Sequence, residues 1–286
     1  FYYNMKWYSK YLQVYDKPFD PGMSKICDEV KGNLAALESK QPIATVCVRG
    51  YNEEKRLLAS LWSVSESICS YPITIIGVDN DSSDKTAEIF ERCGVNYFSE
   101  KRRSPGWSLR CGVEHAEGDY YINIDGDTLY PPKYIETMLS SLMKRDNVGV
   151  TALWSYIDDG VHSKTGMMIY ELLRDCYLSL QYFKRPELVV RGMVFAFKIE
   201  LAKKVGIRTD IKRGEDGSLA LGLKQYGKII FLRCGRARVV TGYGTLSQEG
   251  SLADNFKSRA IKAVKGLGGL FTGKKHYKDE NSNMVK

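Results

Sequence analysis

The sequence predicts an α/β protein, with a mostly parallel central sheet flanked by helices, on three observations. Short continuous apolar runs at 43–48 and 73–78 have strand length and suit strands buried on both faces. Segments with helical periodicity lie between such runs, so strand and helix alternate at the spacing of βαβ units. With 286 residues, 43% apolar and 27% charged, the chain has an ordinary globular make-up and is long enough for one large domain or two joined halves.

Residues 1–40 carry Tyr2, Tyr3, Trp7, Tyr8, Tyr11 and Tyr15 without strand alternation and read as a partly helical N-terminal extension. The first strand spans 43–48. Asn52 is expected to cap the helix that follows, with Glu53 and Glu54 in its first turn and Leu57, Leu58, Leu61, Trp62, Val64 and Ile68 at helical spacing. The second strand, 73–78, leads into the loop DNDSSD at 79–84 and a helix through Cys93. A third strand is predicted at 95–98, a helix at 104–117 and a fourth strand at 120–124. The second half predicts a helix at 131–144, a strand at 148–154, a helix at 165–183 and an apolar run at 189–197. A helix after Gly214-Glu215-Asp216 and strands at 228–232 and 237–241 complete it. Beyond Ser251, Leu252, Phe256, Ala260, Ala263, Val264 and Leu267 share one face of a basic amphipathic helix. The expected organisation is an extension (1–40), two halves of one body (41–130 and 131–245) and a basic tail (246–286).

Composition excludes several chemistries. The seven cysteines are odd in number, scattered and without a CxxC pair, which reads as reduced thiols in a cytoplasmic protein. Only three histidines exist (His115, His162, His276), none spaced with a cysteine pair, so neither a zinc site nor a His-based triad is indicated. No apolar run approaches the roughly 18 residues of a spanning helix. The charge of +8 is concentrated after Asn255, where eight Lys/Arg meet two acids. The rest is nearly neutral, which speaks against a nucleic-acid groove and for a tail that meets an anionic surface or stays solvated.

The sharpest motif is YYINIDGDT at 120–128. Asp125 and Asp127, one residue apart at the end of a buried strand, cannot both stay ionised cheaply without a cation. A hard divalent ion, Mg²⁺ or Mn²⁺, resolves this and completes its shell with substrate phosphates. In isolation the same residues read equally as a solvated acidic turn. Three further segments add context: RGYNEE at 49–54, VDNDSSDKT at 78–86, and RGED at 213–216, which opens a helix. In order and spacing these resemble the inverting family-2 glycosyltransferases of the GT-A fold, over roughly residues 43–241. GWSLR at 106–110 and AEGDY at 116–120 resemble that family's approach to its DXD motif.

The resemblance implies a metal-dependent transfer of a sugar from a UDP- or GDP-sugar to a hydroxyl of a saccharide or lipid-linked acceptor. Tyr51, Glu53, Asp79 and Asn80 would meet the nucleotide, Asp125 the ribose and metal, and Asp127 the metal. Asp216 would be the general base with Glu215 beside it, and Arg110 or the run 101–103 would face the diphosphate. Two departures stand out: Arg49 occupies a position where relatives commonly have a small residue or Pro, and GYGTL at 242–246 stands where many carry an Arg pair. No third metal ligand is evident, His162 and His276 being candidates by elimination. D-x-D-x-T after a strand also resembles the nucleophile motif of haloacid-dehalogenase phosphatases, but there it follows the first strand of the domain. A non-catalytic sugar-nucleotide-binding module is the non-enzymatic alternative. The amphipathic tail would make peripheral membrane contact if the acceptor is lipid-linked.

Overall fold

The N-terminal extension is structured in the computed structural model, which describes residues 7–158, 160, 163–242 and 283–284. Single turns of 3₁₀-helix at Ser9–Gln13 and Pro21–Met23 lead into α1 (Ser24–Leu37), which buries Cys27, Val30 and Leu34 along one face. The aromatic residues anchor the extension on the body. Tyr11 meets Trp62 edge-on with ring centroids 5.5 Å apart and donates its hydroxyl to Glu66 at 2.7 Å.

The first half of the body follows the expected alternation: β1 (Ala44–Gly50), α2 (Leu57–Ser65), β2 (Ile73–Asp79), α3 (Thr86–Arg92), β3 (Asn96–Ser99), α4 (Pro105–Glu114) and β4 (Tyr120–Asp125). The second half comprises β5 (Thr128–Leu129), α5 (Tyr134–Leu142), β6 (Asn147–Ala152), β7 (Trp154–Tyr156), α6 (Lys164–Lys184), β8 (Phe195–Lys198), α7 (Ile199–Val205), α8 (Glu215–Leu223), β9 (Lys228–Leu232) and β10 (Val239–Thr241). Seven strands form one sheet in the order β3-β2-β1-β4-β8-β6-β9. All neighbours are parallel except β8, which opposes β4 and β6. A small second sheet has the order β5-β10-β7.

β1 is buried along all seven residues, as a central parallel strand covered on both faces should be. Val46, Val48, Ile75, Val78, Ile122 and Ile124 fill the sheet's faces, each burial contributing roughly 1.5–3 kcal/mol. α4 lies directly on this sheet at Gly112, where a Cβ would strike the Tyr121 hydroxyl and come within 2.8 Å of Cys47 Sγ. Sheet growth passes from β1 to β2 and β3 on one side and then to β4 on the other. The crevice outside the carboxyl ends of β1 and β4 is therefore the topological switch point, where such sheets bind ligands.

Two expectations need correction, on Asn52 and on the strand at 148–154, and the run at 189–197 gains a definite form. Asn52 does not cap a helix: it sits at φ 54, a left-handed conformation that Asn tolerates, and its side-chain oxygen accepts from the Ser83 N–H at 2.8 Å. It ties the first loop to the second, and α2 starts at Leu57. The apolar run at 189–197 is strand only from Phe195. Before it the chain forms 3₁₀ turns at Pro186–Val189 and Gly192–Val194, the first opened by a proline that cannot donate to a ladder. The run at 148–154 divides at Leu153, where the chain leaves β6 for β7 and the second sheet. The amphipathic helix expected after Ser251 falls outside the described residues, as do His162 and His276.

Candidate active site

The register of β1 against its neighbours builds the site. Arg49 lies beside Asp125 on β4, and Gly50 beside Asp79 on β2. After Asp125 the chain turns at Gly126, whose N–H donates to the Arg49 carbonyl at 2.8 Å. A Cβ on Gly126 would stand 3.1 Å from that same oxygen, tighter than side chains ordinarily allow. The Asp125 N–H donates to the Tyr130 hydroxyl at 2.9 Å, and Tyr130 donates onward to the Met193 carbonyl at 3.0 Å. On the far side of the turn, Tyr15 donates its hydroxyl to the Asp127 carbonyl at 2.7 Å. The Asp127 carboxylate accepts from Thr128 Oγ1 at 2.9 Å. The two aspartates are thus projected by a turn whose backbone is held at the Asp125 N–H, the Gly126 N–H and the Asp127 carbonyl.

They open onto a cleft of about 480 Å³ that also takes in Tyr51, Glu53, Asn80, Arg103, Glu215 and Asp216. This is within the usual range for small-molecule sites. Glu215 and Asp216 arrive from the first turn of α8, released from the preceding loop by Gly214 at φ 96. Asn123 Nδ2 donates to the Gly192 carbonyl at 2.9 Å and draws the 3₁₀ turn against Asp216. The fit there is tight: a Cβ would lie 2.7 Å from Asp216 Oδ2 and 3.0 Å from Arg49 Nη2.

The electrostatics are those of crowded acids with one buried cation. Burial, then the charge of Asp127, raises the Glu53 carboxyl to about 8. Burial and Asp125 raise Asp127 to about 6. Asp216 is pushed well above the usual carboxylate range by burial and by Glu215, while Arg49 opposes the shift. Its Oδ1 is sealed from solvent and has no hydrogen-bond partner among the described residues. Arg49 is 9% exposed, donates to the Pro105 carbonyl at 3.1 Å and pairs with Asp125 Oδ1 at 3.3 Å.

This donor set fits a hard divalent cation. Asp125 and Asp127 would be adjacent oxygen ligands, and after burial the charge of Asp125 is the next cause of the upward shift on Asp127. No group of three or more His, Cys, Asp or Glu able to hold a metal occurs among the described residues. Two protein carboxylates with the remaining positions left to water and phosphate is the arrangement Mg²⁺ and Mn²⁺ commonly take.

The structure brings together most, not all, of the residues the sequence singled out. Tyr51 stands at the cleft mouth, 48% exposed. Asp79 is buried below the cleft, its carboxylate accepting from the Ser82 N–H at 3.3 Å. Asn80 reaches the cleft wall but commits its amide to the Glu100 and Arg102 carbonyls. Arg110 does not line the cleft: it pairs with Glu114 one helical turn on, at 2.7 Å, on the outer side of α4. In the run 101–103, Arg102 stacks on Trp107 and pairs with Glu100, and only Arg103 reaches the cleft. Two residues that shape this corner of the cleft were not assigned a role from sequence. Arg49 stood out only as a departure from the family pattern, whereas nothing local in the sequence distinguishes Tyr15 from its aromatic neighbours.

Comparison with known proteins decides the family. The model of glycosyl transferase family 2 matches residues 45–206, more than half of the chain. The chain belongs to glycosyl transferase family 2. This family assignment displaces the phosphatase reading, and β4 accordingly follows three earlier strands rather than opening its domain. An uncharacterized glycosyltransferase of Rickettsia typhi is 29% identical over 139 residues, which cover 47% of this chain and 44% of that protein. Protein RfbJ of Shigella flexneri is 27% identical over 99 residues, 35% of this chain and 75% of that protein. The match thus spans less than half the length of the Rickettsia relative. Among solved structures, a mannosyltransferase from Pyrobaculum calidifontis in complex with GDP-Man and Mn²⁺ superposes with a TM-score of 0.55 at 18% identity, over 76% of this chain and 68% of that one. Glucosyl-3-phosphoglycerate synthase from Mycobacterium tuberculosis, in complex with Mn²⁺, UDP-glucose and phosphoglyceric acid, gives 0.51 at 18% identity, over 84% and 83%. At these identities the likeness is one of fold, and the fold is GT-A. Tyr15 lies outside the segment that the family model matches.

Proposed function

We propose that the chain transfers a sugar from a nucleoside-diphosphate sugar to an acceptor hydroxyl, with inversion at the anomeric carbon. The observation that carries this reading is that the Asp125–Asp127 turn and Asp216 face one cleft at the topological switch point. Tyr51 at the mouth and Glu53 and Asn80 in the walls form the nucleotide end, with Asp79 supporting the loop beneath it. Asp125 and Asp127 would hold Mn²⁺ or Mg²⁺ together with the diphosphate, and the ion would supply neutralisation of the charge that develops on the leaving group. Arg103 adds a cation at the cleft rim.

Asp216 takes the acceptor hydroxyl proton as the oxygen forms its bond to the anomeric carbon and the bond to the diphosphate oxygen breaks. Burial makes this carboxylate a stronger base than a solvated one, and the Arg49 guanidinium favours its ionised form. The acceptor is a saccharide or lipid-linked saccharide. The seven free cysteines support a cytoplasmic setting. Among the described residues no helix is long and apolar enough to cross a membrane. The basic tail is a peripheral contact for an anionic surface in this reading.

The test is a panel of UDP- and GDP-hexoses incubated with the chain and Mn²⁺ or Mg²⁺, following release of the nucleoside diphosphate. Turnover by the parent, its loss in Asp127→Ala, and donor binding without transfer in Asp216→Asn are expected. Absence of turnover and of donor binding across the whole panel would sink the reading. The anomeric configuration of the product, read by NMR, tests inversion separately.

A further inference from the structure

Helix α6 is built the reverse of a water-facing helix. Between its terminal lysines, its charged residues point into the protein. Glu171 accepts from Ser155 Oγ and the Tyr156 N–H at 2.8 Å each, Asp175 pairs with Arg238, and Arg174 stacks on Trp154 at 4.4 Å. Its outer face carries Met168, Ile169, Leu172, Leu173, Leu180 and Phe183, exposed by 40% to 76%. From Thr165 to Phe183 no exposed residue of the helix bears a charge. The stripe runs about 22 Å along the axis at 1.5 Å per residue. An amphipathic helix on a soluble domain presents the opposite pattern, and a continuous apolar patch of this kind marks a contact surface.

The rim identifies the partner by charge. Lys164, whose side chain is 82% exposed, stands at one end beside Asp158, and Lys184 is exposed at the other. Exposed Arg233 flanks the second half, over the ring of Phe231, which in turn contacts Tyr182 of the helix. An apolar strip bordered by lysine and arginine, with no exposed carboxylate on the helix itself, complements a surface that is anionic outside and hydrocarbon within. We propose that α6 seats the chain on an anionic lipid bilayer through this face, independently of the basic tail.

The position of the helix has a consequence for the reaction, and this part rests on the glycosyltransferase reading. From Lys184 the chain passes through Pro186–Val189, where buried Glu187 holds Lys224 of α8 at 3.1 Å, to Gly192 against Asp216. The base side of the cleft is thus tethered to the bilayer-seated helix, and a membrane-borne acceptor would meet Asp216 from that side.

The test uses the full chain with vesicles of phosphatidylcholine alone or mixed with phosphatidylglycerol. The parent should co-sediment with the anionic vesicles and not with the neutral ones. The double variant Leu172→Glu, Leu180→Glu should lower that partition by at least about tenfold, with an unchanged melting temperature. Phe183→Trp supplies a second readout, its emission moving to shorter wavelength on anionic vesicles only. Three results would overturn the assignment: no binding by the parent, equal binding by the double variant, or a parent dimer in light scattering that the double variant converts to monomer. Hydrolysis of the sugar donor in vesicle-free solution should be the same in parent and variant. Its absence in both would count against the enzyme reading and leave membrane seating standing.

Discussion

Gly192→Ala moves the proposed base without removing it. The new Cβ would stand 2.7 Å from Asp216 Oδ2 and 3.0 Å from Arg49 Nη2, where ordinary contact begins at 3.4 Å. Gly192 does not have a positive φ, so the backbone accepts alanine and the strain falls on side chains. The carboxylate, at the end of a short side chain in the first turn of α8, must retreat by about 0.7 Å. Yielding at a side-chain tip should cost about 1 kcal/mol of stability. A misplacement of about 1 Å in a reacting group costs about 100-fold in rate, so kcat should fall between about 10- and 100-fold. Donor binding, proposed to rest on Tyr51, Glu53, Asn80 and Asp127, should change less than the rate. The assay is donor hydrolysis at saturating sugar nucleotide, water standing in for the acceptor, beside calorimetric donor binding and a melting curve. A parental rate in a variant of parental stability would refute the placement of the base, as would loss of donor affinity instead of rate.

Other perturbations address separate parts of the site. Asp127→Asn should abolish Mn²⁺-dependent turnover while preserving the fold, and calorimetry should show the ion's binding lost. Tyr15→Phe leaves the half-buried Asp127 carbonyl without its donor and should cost about 1 kcal/mol in denaturant unfolding, with weaker Mn²⁺ binding. Unchanged ion affinity would make Tyr15 purely structural. Glu53 and Asp127 hold protons more tightly in the folded chain than in the unfolded one, at about 8 and about 6. The metal-free fold therefore has their full contribution at acid pH and loses it as pH rises through those values. Its melting temperature should fall between about pH 5 and 8, Mn²⁺ should remove the fall, and Glu53→Gln should flatten its upper part. A flat metal-free profile would contradict the crowding of these acids.

The sheet was legible where strands are continuously apolar, and so was the placement of acids at strand ends, because both follow from local composition. β1, β2 and β4 needed no tertiary information. β7 and β10 form a second sheet that depends on the chain bending at Leu153, a choice made by packing. Arg110 was misplaced although Glu114 lay in view four residues on, since a surface pair satisfies that guanidinium without any ligand. Arg49 was visible only as an anomaly. Its meaning arises from the register that sets it beside Asp125 and from a turn 143 positions later that brings Gly192 against it, neither of which a linear reading contains. Asn52 misled because its capping signature is genuine chemistry applied to a different loop.

The loop of Asp127 is clasped from both directions along the chain. Tyr15, 112 positions earlier, grips its carbonyl, while β10 pairs with the strand that leaves it, Thr241 beside Thr128. The two clasps touch, since a Cβ on Gly242 would lie 2.8 Å from the Tyr15 hydroxyl. During synthesis the first clasp is available as soon as the loop emerges, but the second must wait for more than a hundred further residues. Capture of the proposed ion would then be a late event in maturation, and a nascent chain arrested before β10 should carry the sheet without a finished Asp127 loop.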